Sequence, residues 1–369
     1  ALTNFLNTFQ KRPGIQSDDV LMAVTTLSFD ISALELFLPL ISGAKLVLVD
    51  RDTSADGDLL AIALKQHECT VMQGTPATWK LLLASGWTPS ESFRIWCGGE
   101  SFPKYVAERL LKSSKEVWNL YGPTETTIWS SISRIQKTED TRFIGHPIGN
   151  TQLYIVDADL NPLPKGGIGE LCIGGDGLAH GYWNRPDLTA ERFIPDPFSG
   201  RDGSRLYRTG DRARFQEGET IEFLGRLDFQ VKIRGFRVEL GDIETAIRSH
   251  AHIHDCVVLV REDQSDQKQL VAYLVTKRQV VRSELTDELR DILADRLSAY
   301  MMPGFFVFLE TLPLTPNNKI DRRALPMPNV SGAVEGTNYV APRDVLEEAI
   351  AGIWSDVLGQ SKIGVKNGF

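Results

Sequence analysis

The sequence predicts an α/β fold: a large α/β subdomain with a β-rich, barrel-like part, followed by a small α+β C-terminal subdomain. Three observations predict it. Over roughly the first 150 residues, short apolar runs alternate with helix-forming stretches, as in parallel strands joined by helical crossovers. From about 150 to 225, strand-like runs follow one another between Gly, Asn and Pro turns. After Gly225 the pattern becomes mixed α+β.

The elements follow in order. Leu46–Val49, Arg94–Cys97 and Val117–Tyr121 read as buried strands, with Leu59–Gln66 and Val106–Leu111 as helices between them. The second strand ends at Gly98-Gly99 and the third at Gly122-Pro123. Ligands of parallel sheets gather beyond such strand ends, so loops 98–100 and 122–125 are candidate binding loops. Leu153–Val156, Glu170–Ile173 and Thr220–Phe223 are the strands of the β-rich part. Farther on, Val257–Val260 and Leu270–Val275 read as strands, and Leu285, Leu289, Ile292, Leu293 and Leu297 share one helix face. Pro, Ser and Gly between 326 and 338 mark a linker. Beyond it, Asp344 and Glu347 form a capping-box variant ahead of a helix with Leu346, Ile350, Ile353, Trp354 and Val357 on one side.

The 369 residues suit two to three folding units at roughly 150 residues each. A 42% hydrophobic and 24% charged composition excludes disorder as the dominant state. Forty basic against 48 acidic side chains give a net charge of −8, which argues against binding a nucleic-acid backbone. The apolar stretches are too short and too interrupted, by Pro39, Gly43 and Lys45 in the greasiest, for a membrane span. Cys69, Cys97, Cys172 and Cys256 each sit in an apolar run, which favours buried thiols over disulfides or a zinc site. A basic-then-apolar signal segment is not seen, so the expected location is cytoplasmic. His250, His252 and His254 alternate, but they read as loop histidines between a helix and a strand rather than as metal ligands.

Taken singly, the chemistry-bearing residues have ordinary readings: Lys232 as an outward strand lysine, Lys319 as a loop lysine, Asp211 as a turn former and Asp30 as a helix N-cap near Ser32. Their surroundings change this. Phe29-Asp30-Ile31-Ser32, Asn119–Glu125 (NLYGPTE), Gly169–Gly174 (GELCIG) running on to Gly181–Pro186 (GYWNRP), Tyr207–Asp211 (YRTGD), Gly225–Gly235 (GRLDFQVKIRG) and Asn317–Arg322 (NNKIDR) occur in that order. Together they resemble the core motifs of adenylate-forming enzymes, and most closely the amino-acid adenylation domains of nonribosomal peptide synthetases.

The resemblance implies a fold, a set of roles and a set of partners. The fold is that of the luciferase and acyl-CoA synthetase type. The implied boundaries are a large subdomain at 1–227, a small one at 228–328, a linker at 329–339 and the start of a peptidyl carrier domain at 340–369. The reaction joins an amino acid to ATP, releases pyrophosphate and passes the aminoacyl group to phosphopantetheine. Joining two anions demands positive charge and orientation. Lys319 matches the lysine that bridges substrate carboxylate and α-phosphate, and Glu125 the carboxylate that holds Mg²⁺, a hard ion preferring oxygen. Thr124 would offer a hydroxyl to phosphate. Asp211 would accept from both ribose hydroxyls, with Arg226 and Phe223 beside it. Tyr121 would stack on adenine and Asn119 would read its exocyclic amine, while Gly99, Glu100 and Gly122 complete the nucleotide site. Asp228 matches the hinge about which the small subdomain turns, exchanging Lys319 for the face carrying Lys232.

Asp30 matches the aspartate that pairs with the α-ammonium of an amino acid, which argues against an acyl- or aryl-CoA ligase. Ile31, Leu34, Gln73 or Gly74, Trp96, Gly98, Leu120, Ile128 and Trp129 match the side-chain pocket. Its bulky apolar wall favours glycine, then alanine. Asn318 and His180 depart from the usual Gly and Arg. The phosphate-cradling loop expected upstream of Phe29 and the carrier serine expected after 369 are both absent, so the chain is expected to be part of a longer synthetase with a carrier domain in cis and a condensation domain elsewhere. A carrier-docking scaffold without catalysis is the alternative for the chain by itself.

Overall fold

Five short strands rich in Val, Leu and Ile form the parallel layer: Val20–Ala23 (β1), Lys45–Leu48 (β2), Val71–Gly74 (β3), Arg94–Gly98 (β4) and Glu116–Tyr121 (β5). The structure, a computed structural model, describes residues 1–227, 231–233, 236–262, 268–277, 280–313, 320–328, 340–358 and 364–365. Helices Leu2–Phe9 (α1), Ser32–Ser42 (α2), Arg51–Ala55 (α3), Gly57–Gln66 (α4), Pro76–Ala84 (α5) and Lys104–Leu111 (α6) cover the layer. Local chemistry sets their ends. The Asp50 carboxylate accepts from Thr53 N, and the Asp56 carboxylate from Asp58 N and Leu59 N, so α3 and α4 are capped in turn. Pro76 opens α5, where a missing N–H costs nothing.

Every residue of β3 and β4 is buried, as in a sheet covered on both faces. Alternate side chains enter opposite cores. Met22, Met72, Ile95 and Cys97 pack with Leu60, Trp79 and Val106 on one side. Leu21, Val71 and Trp96 pack with Phe5, Phe9, Leu34 and Trp129 on the other.

The layer turns antiparallel after β5. Ser131–Ile135 (β6) pairs antiparallel with β5, and Phe143–Pro147 (β7) with β6. The β-rich part supplies Thr151–Val156 (β8), Gly169–Gly175 (β9), Phe193–Pro195 (β10), Arg205–Phe215 (β11) and Ile221–Arg226 (β12), with helix Pro186–Arg192 (α7) before β10. Among the described residues the sheet runs β2-β1-β3-β4-β5-β6-β7-β12-β11-β9-β8, and β10 pairs with β11.

The chain divides into compact units at Ala1–Phe236 and Arg237–Phe369, a later division than the expected 227/228 boundary. Asp228 lies outside the described residues. Val231–Ile233 (β13) and Phe236–Val238 (β14) are short strands at the division. The second unit holds Leu240–Arg248 (α8), Ile253–Glu262 (β15), Lys268–Thr276 (β16), Arg282–Arg296 (α9), Phe305–Leu309 (β17) and Val345–Leu358 (α10). β16 pairs antiparallel with β15 and parallel with β17. Leu285, Leu289 and Leu293 of α9 are buried, whereas Ile292 and Leu297 are half-buried at the edge of that face.

Several expectations shift in detail. His254 belongs to β15 rather than to a loop, because the strand begins at Ile253. His250 Nε2 lies 3.1 Å from the Glu288 carboxylate of α9. The capping box of α10 is displaced by one residue: Asp344 accepts from Glu347 N, but the Glu347 carboxylate turns back to Arg343 N. Leu346, Ile350 and Ile353 of that helix are exposed. All four cysteines are buried free thiols, and burial raises the Cys69 thiol to about 11 and those of Cys172 and Cys256 to about 12. The expected linker at 329–339 lies outside the described residues.

The parallel strands are pinned at their starts by one buried ion pair. Asp19 pairs with Arg94, accepts from Gln16 N at 2.7 Å and from Thr70 Oγ1 at 2.8 Å, and Arg94 also donates to Gly14 O. Burial alone would raise the Asp19 pKa, but Arg94 and these donors outweigh it and lower it. Asp19→Asn leaves the Arg94 charge uncompensated and is expected to cost about 3–5 kcal/mol in chemical denaturation. Because the folded pKa is depressed, the wild-type contribution is complete above the ordinary carboxylate value of about 4 and is lost as pH falls through the depressed one. The wild type is therefore expected to lose more stability than the variant on acidification below about pH 4.

Candidate active site

The site is built where β4 and β5 end. A Cβ on Gly122 would lie 2.4 Å from Ile128 O, 2.6 Å from Trp129 Cα and 2.7 Å from Ser130 N, so only glycine lets the chain double back this closely. The return is closed by Ser130 N donating to Tyr121 O at 2.8 Å. Between them Thr127 and Ile128 hold left-handed backbone, with φ of 64° and 69°. That conformation costs a branched residue roughly 1–3 kcal/mol and persists only where surrounding contacts enforce it. Here Thr127 Oγ1 donates to Gly177 O at 2.6 Å, and Glu125 O accepts from Ala179 N.

The hairpin delivers Ile128 and Trp129 into the core that also holds Ile31, Leu34, Trp96 and Leu120. All six predicted wall residues are buried. Gly98 faces them: a Cβ there would meet Leu120 O at 2.6 Å and Trp129 Cη2 at 2.7 Å. Of the pair left open by the sequence, Gln73 joins this group, since Trp129 Nε1 donates to its Oε1 at 2.7 Å. Gly74 faces Thr78 and Trp79 of α5 instead. At the start of α2, Asp30 does not cap the helix. The N-cap is Ile31, and the Asp30 carboxylate accepts from Thr124 Oγ1 at 2.6 Å. Two residues predicted for different substrates are thus in direct contact.

A second cluster lies where β5 meets β11 and β12. Tyr121 Oη donates to Asp211, and Arg226 donates to the other Asp211 oxygen at 2.8 Å and to Thr209 O at 3.0 Å. Phe223 packs against Tyr121 with ring centroids 6.2 Å apart. Burial, then the Asp211 charge, raises the Tyr121 pKa, which keeps its hydroxyl a donor. Asn119 Nδ2 donates to Phe143 O at 2.9 Å and Thr141 O at 3.4 Å, which fixes the amide with Oδ1 as its remaining acceptor. Gly99 has φ of 92° and half-buried Glu100 follows it.

Glu125 is buried and accepts from Tyr182 Oη at 2.5 Å. The described residues contain no cluster of three or more carboxylate, His or Cys side chains able to hold a metal. One carboxylate fits Mg²⁺, which commonly takes one or two protein oxygens and completes its shell with phosphates and water. Lys232 falls in β13 with its side chain outside the described residues, and Lys319 lies outside them altogether. A cleft of about 380 Å³ in the β-rich part, lined by residues including Tyr154, Asp176, Asp196, Arg201 and Arg205, contains no predicted site residue.

The model of the AMP-binding enzymes matches residues 1–183, and that of the AMP-binding enzyme C-terminal domain matches 242–319. The chain belongs to the AMP-binding enzymes. It is 44% identical over its whole length to a dimodular nonribosomal peptide synthase of Bacillus subtilis, of which it spans 15%. Among solved structures it is similar to holo-AB3403, a four-domain nonribosomal peptide synthetase bound to AMP and glycine, with a TM-score of 0.61, 41% identity, and coverage of 99% of this chain and 27% of that one. It is also similar to holo-PA1221, a synthetase protein containing adenylation and PCP domains, with a TM-score of 0.74, 28% identity, and coverage of 95% and 58%. The chain thus spans well under two thirds of these relatives, and its fold is that of the adenylate-forming enzymes.

Sequence reasoning missed the residues that support the candidate site. Glu170, in the GELCIG motif, accepts from Gly210 N at 3.0 Å and from Arg208 at 2.6 Å, while Thr209 Oγ1 donates to Leu171 O and accepts from Asp211 N. These bonds hold the turn that presents Asp211. Glu35 and Tyr182 were also missed. The motif positions of Glu170 and Tyr182 were visible signals, but their partners lie tens of residues away. Glu170→Ala is expected to cost about 2–3 kcal/mol, as charged hydrogen bonds do, and to weaken ATP binding in a calorimetric titration.

Proposed function

We propose that this chain activates glycine, with alanine the nearest competitor, and loads the product onto a peptidyl carrier domain. The observation that carries the substrate assignment is the Trp129 indole, hydrogen-bonded to Gln73 and packed so close to Gly98 that a Cβ on that glycine would lie 2.7 Å from Cη2. A wall filled by its own side chains favours the smallest amino acid. Asp30 supplies the carboxylate that an α-ammonium needs, and a fatty or aryl acid would leave that charge unmatched. The relative bound to AMP and glycine supports the same reading.

In this reading, ATP enters with its adenine at Tyr121, Gly99 and Glu100 and its exocyclic amine on Asn119 Oδ1. The ribose hydroxyls donate to Asp211, whose geometry Arg226 and Tyr121 hold. Thr124, whose hydroxyl hydrogen lies on Asp30 in this structure, would turn it to phosphate. A glycine carboxylate oxygen attacks the α-phosphorus, a P–O bond forms, and the bond to the leaving pyrophosphate breaks. Lys319 neutralises the approaching anions. Glu125 would hold Mg²⁺, which when bound draws charge from the phosphates. Rotation about Asp228 then brings the face carrying Lys232 to the site. There the glycyl carbonyl would be open to the carrier's phosphopantetheine thiol, the new C–S bond replacing the C–O bond to AMP and the thiol proton passing to solvent.

The carrier domain would lie in cis and a condensation domain elsewhere in the parent synthetase. The relative containing adenylation and PCP domains supports the first. Among the described residues no helix is long and apolar enough to cross a membrane, and a cytoplasmic site is part of the proposal.

The test is amino-acid-dependent exchange of labelled pyrophosphate into ATP by the intact synthetase. Glycine is expected to give the strongest signal and alanine the next. Asp30→Ala is expected to abolish it. Exchange with large or charged amino acids would discard the glycine assignment, and exchange only with acids lacking an amine would discard amino-acid activation. Gly98→Ala is expected to reduce glycine kcat/KM at least tenfold, since the added carbon collides with Trp129.

A further inference from the structure

Outside the predicted site residues, Glu35 of α2 stands out as a fully buried carboxylate with four donors converging on it. One oxygen accepts from Val24 N and Thr25 N, both at 2.9 Å. The other accepts from Thr25 Oγ1 at 2.6 Å and from Gln73 Nε2 at 2.8 Å. The second Gln73 amide hydrogen goes to Ile31 O at 3.0 Å. With both N–H bonds engaged, the Gln73 amide has one orientation, and its oxygen accepts the Trp129 indole N–H at 2.7 Å. The far edge of that indole, Cη2, lies 2.7 Å from where a Gly98 Cβ would stand.

We infer that Glu35 is a positioning residue for substrate size: through Gln73 it clamps Trp129 across Gly98 and so closes the pocket to any side chain. The inference rests on the glycine reading and deepens it. A carboxylate suits the post because it only accepts, and three of the four groups facing it, the two backbone N–H groups and the Gln73 N–H₂, can only donate. An amide there sets its own N–H₂ against either the two backbone N–H groups or the Gln73 N–H₂, and only the Thr25 hydroxyl can turn to accept from it. Relief comes only if Gln73 turns its N–H₂ toward the Trp129 N–H, which breaks the last bond of the relay. The indole then loses its anchor, and volume opens above Gly98.

The experiment compares pyrophosphate exchange with glycine, alanine and serine in the intact synthetase, as wild type, Glu35→Gln, Trp129→Phe and the double variant. Glu35→Gln is expected to raise the glycine KM more than it lowers kcat, and to raise the alanine-to-glycine ratio of kcat/KM by about tenfold, the scale of discrimination by one methyl. Trp129→Phe removes the indole donor while leaving Glu35 and Gln73 bonded, and is expected to raise the same ratio. The double variant is expected to relax selectivity no further than either single one, since the two act through one relay. A uniform loss with all three amino acids at an unchanged ratio would show a merely structural Glu35 and overturn the inference. If Glu35→Gln shows no cooperative unfolding transition, Trp129→Phe decides: a raised ratio supports the relay and an unchanged one overturns it. Wild-type protein without glycine-dependent exchange would instead overturn the functional reading beneath it.

Discussion

The close pass of residues 128–130 over Gly122 is the constraint on which the rest of the site depends. It ends the parallel layer, turns the chain antiparallel into β6 and drives two consecutive residues into left-handed backbone. The strain is stored where the chain must aim Ile128 and Trp129 inward while leaving Thr124 exposed. Residues predicted for the nucleotide and residues predicted for the side-chain pocket therefore sit within one short stretch.

Around that turn the polar groups form closed sets. Tyr121 and Arg226 hold Asp211 from opposite sides, and Glu170 holds the turn that carries it. Glu35, Gln73 and Trp129 form a second set beneath the wall. Burial pushes the Glu35 carboxyl above its usual range, but its hydrogen bonds act against this, as a buried acceptor requires. In both sets the predicted site residues are oriented by one outside the predicted set, Glu170 in the first and Glu35 in the second. The contact between Asp30 and Thr124 ties the two substrate sites directly.

Much of the fold was legible because its strands are short apolar runs ended by Gly. The strands from Arg94 and Glu116, and the loops beyond Gly98 and Gly122, follow from that punctuation. β3 was harder to see, since buried Gln73 cuts its apolar run to Val71 and Met72. The choice between Gln73 and Gly74 was open for the same reason. Inside a strand, neighbours point to opposite faces, and nothing local says which face holds the substrate.

The sequence by itself determined the family, because the residues of each motif are contiguous. It also determined that all four cysteines would be buried thiols, since each lies in an apolar run. Only the tertiary structure decided that Asp30 bonds Thr124 rather than capping α2, that Gln73 and not Gly74 reaches Trp129, and that Glu35 stands behind them. Those choices are made by hydrogen-bond complementarity between segments far apart in the chain, and a donor's need for an acceptor is met in space without leaving a local pattern in sequence.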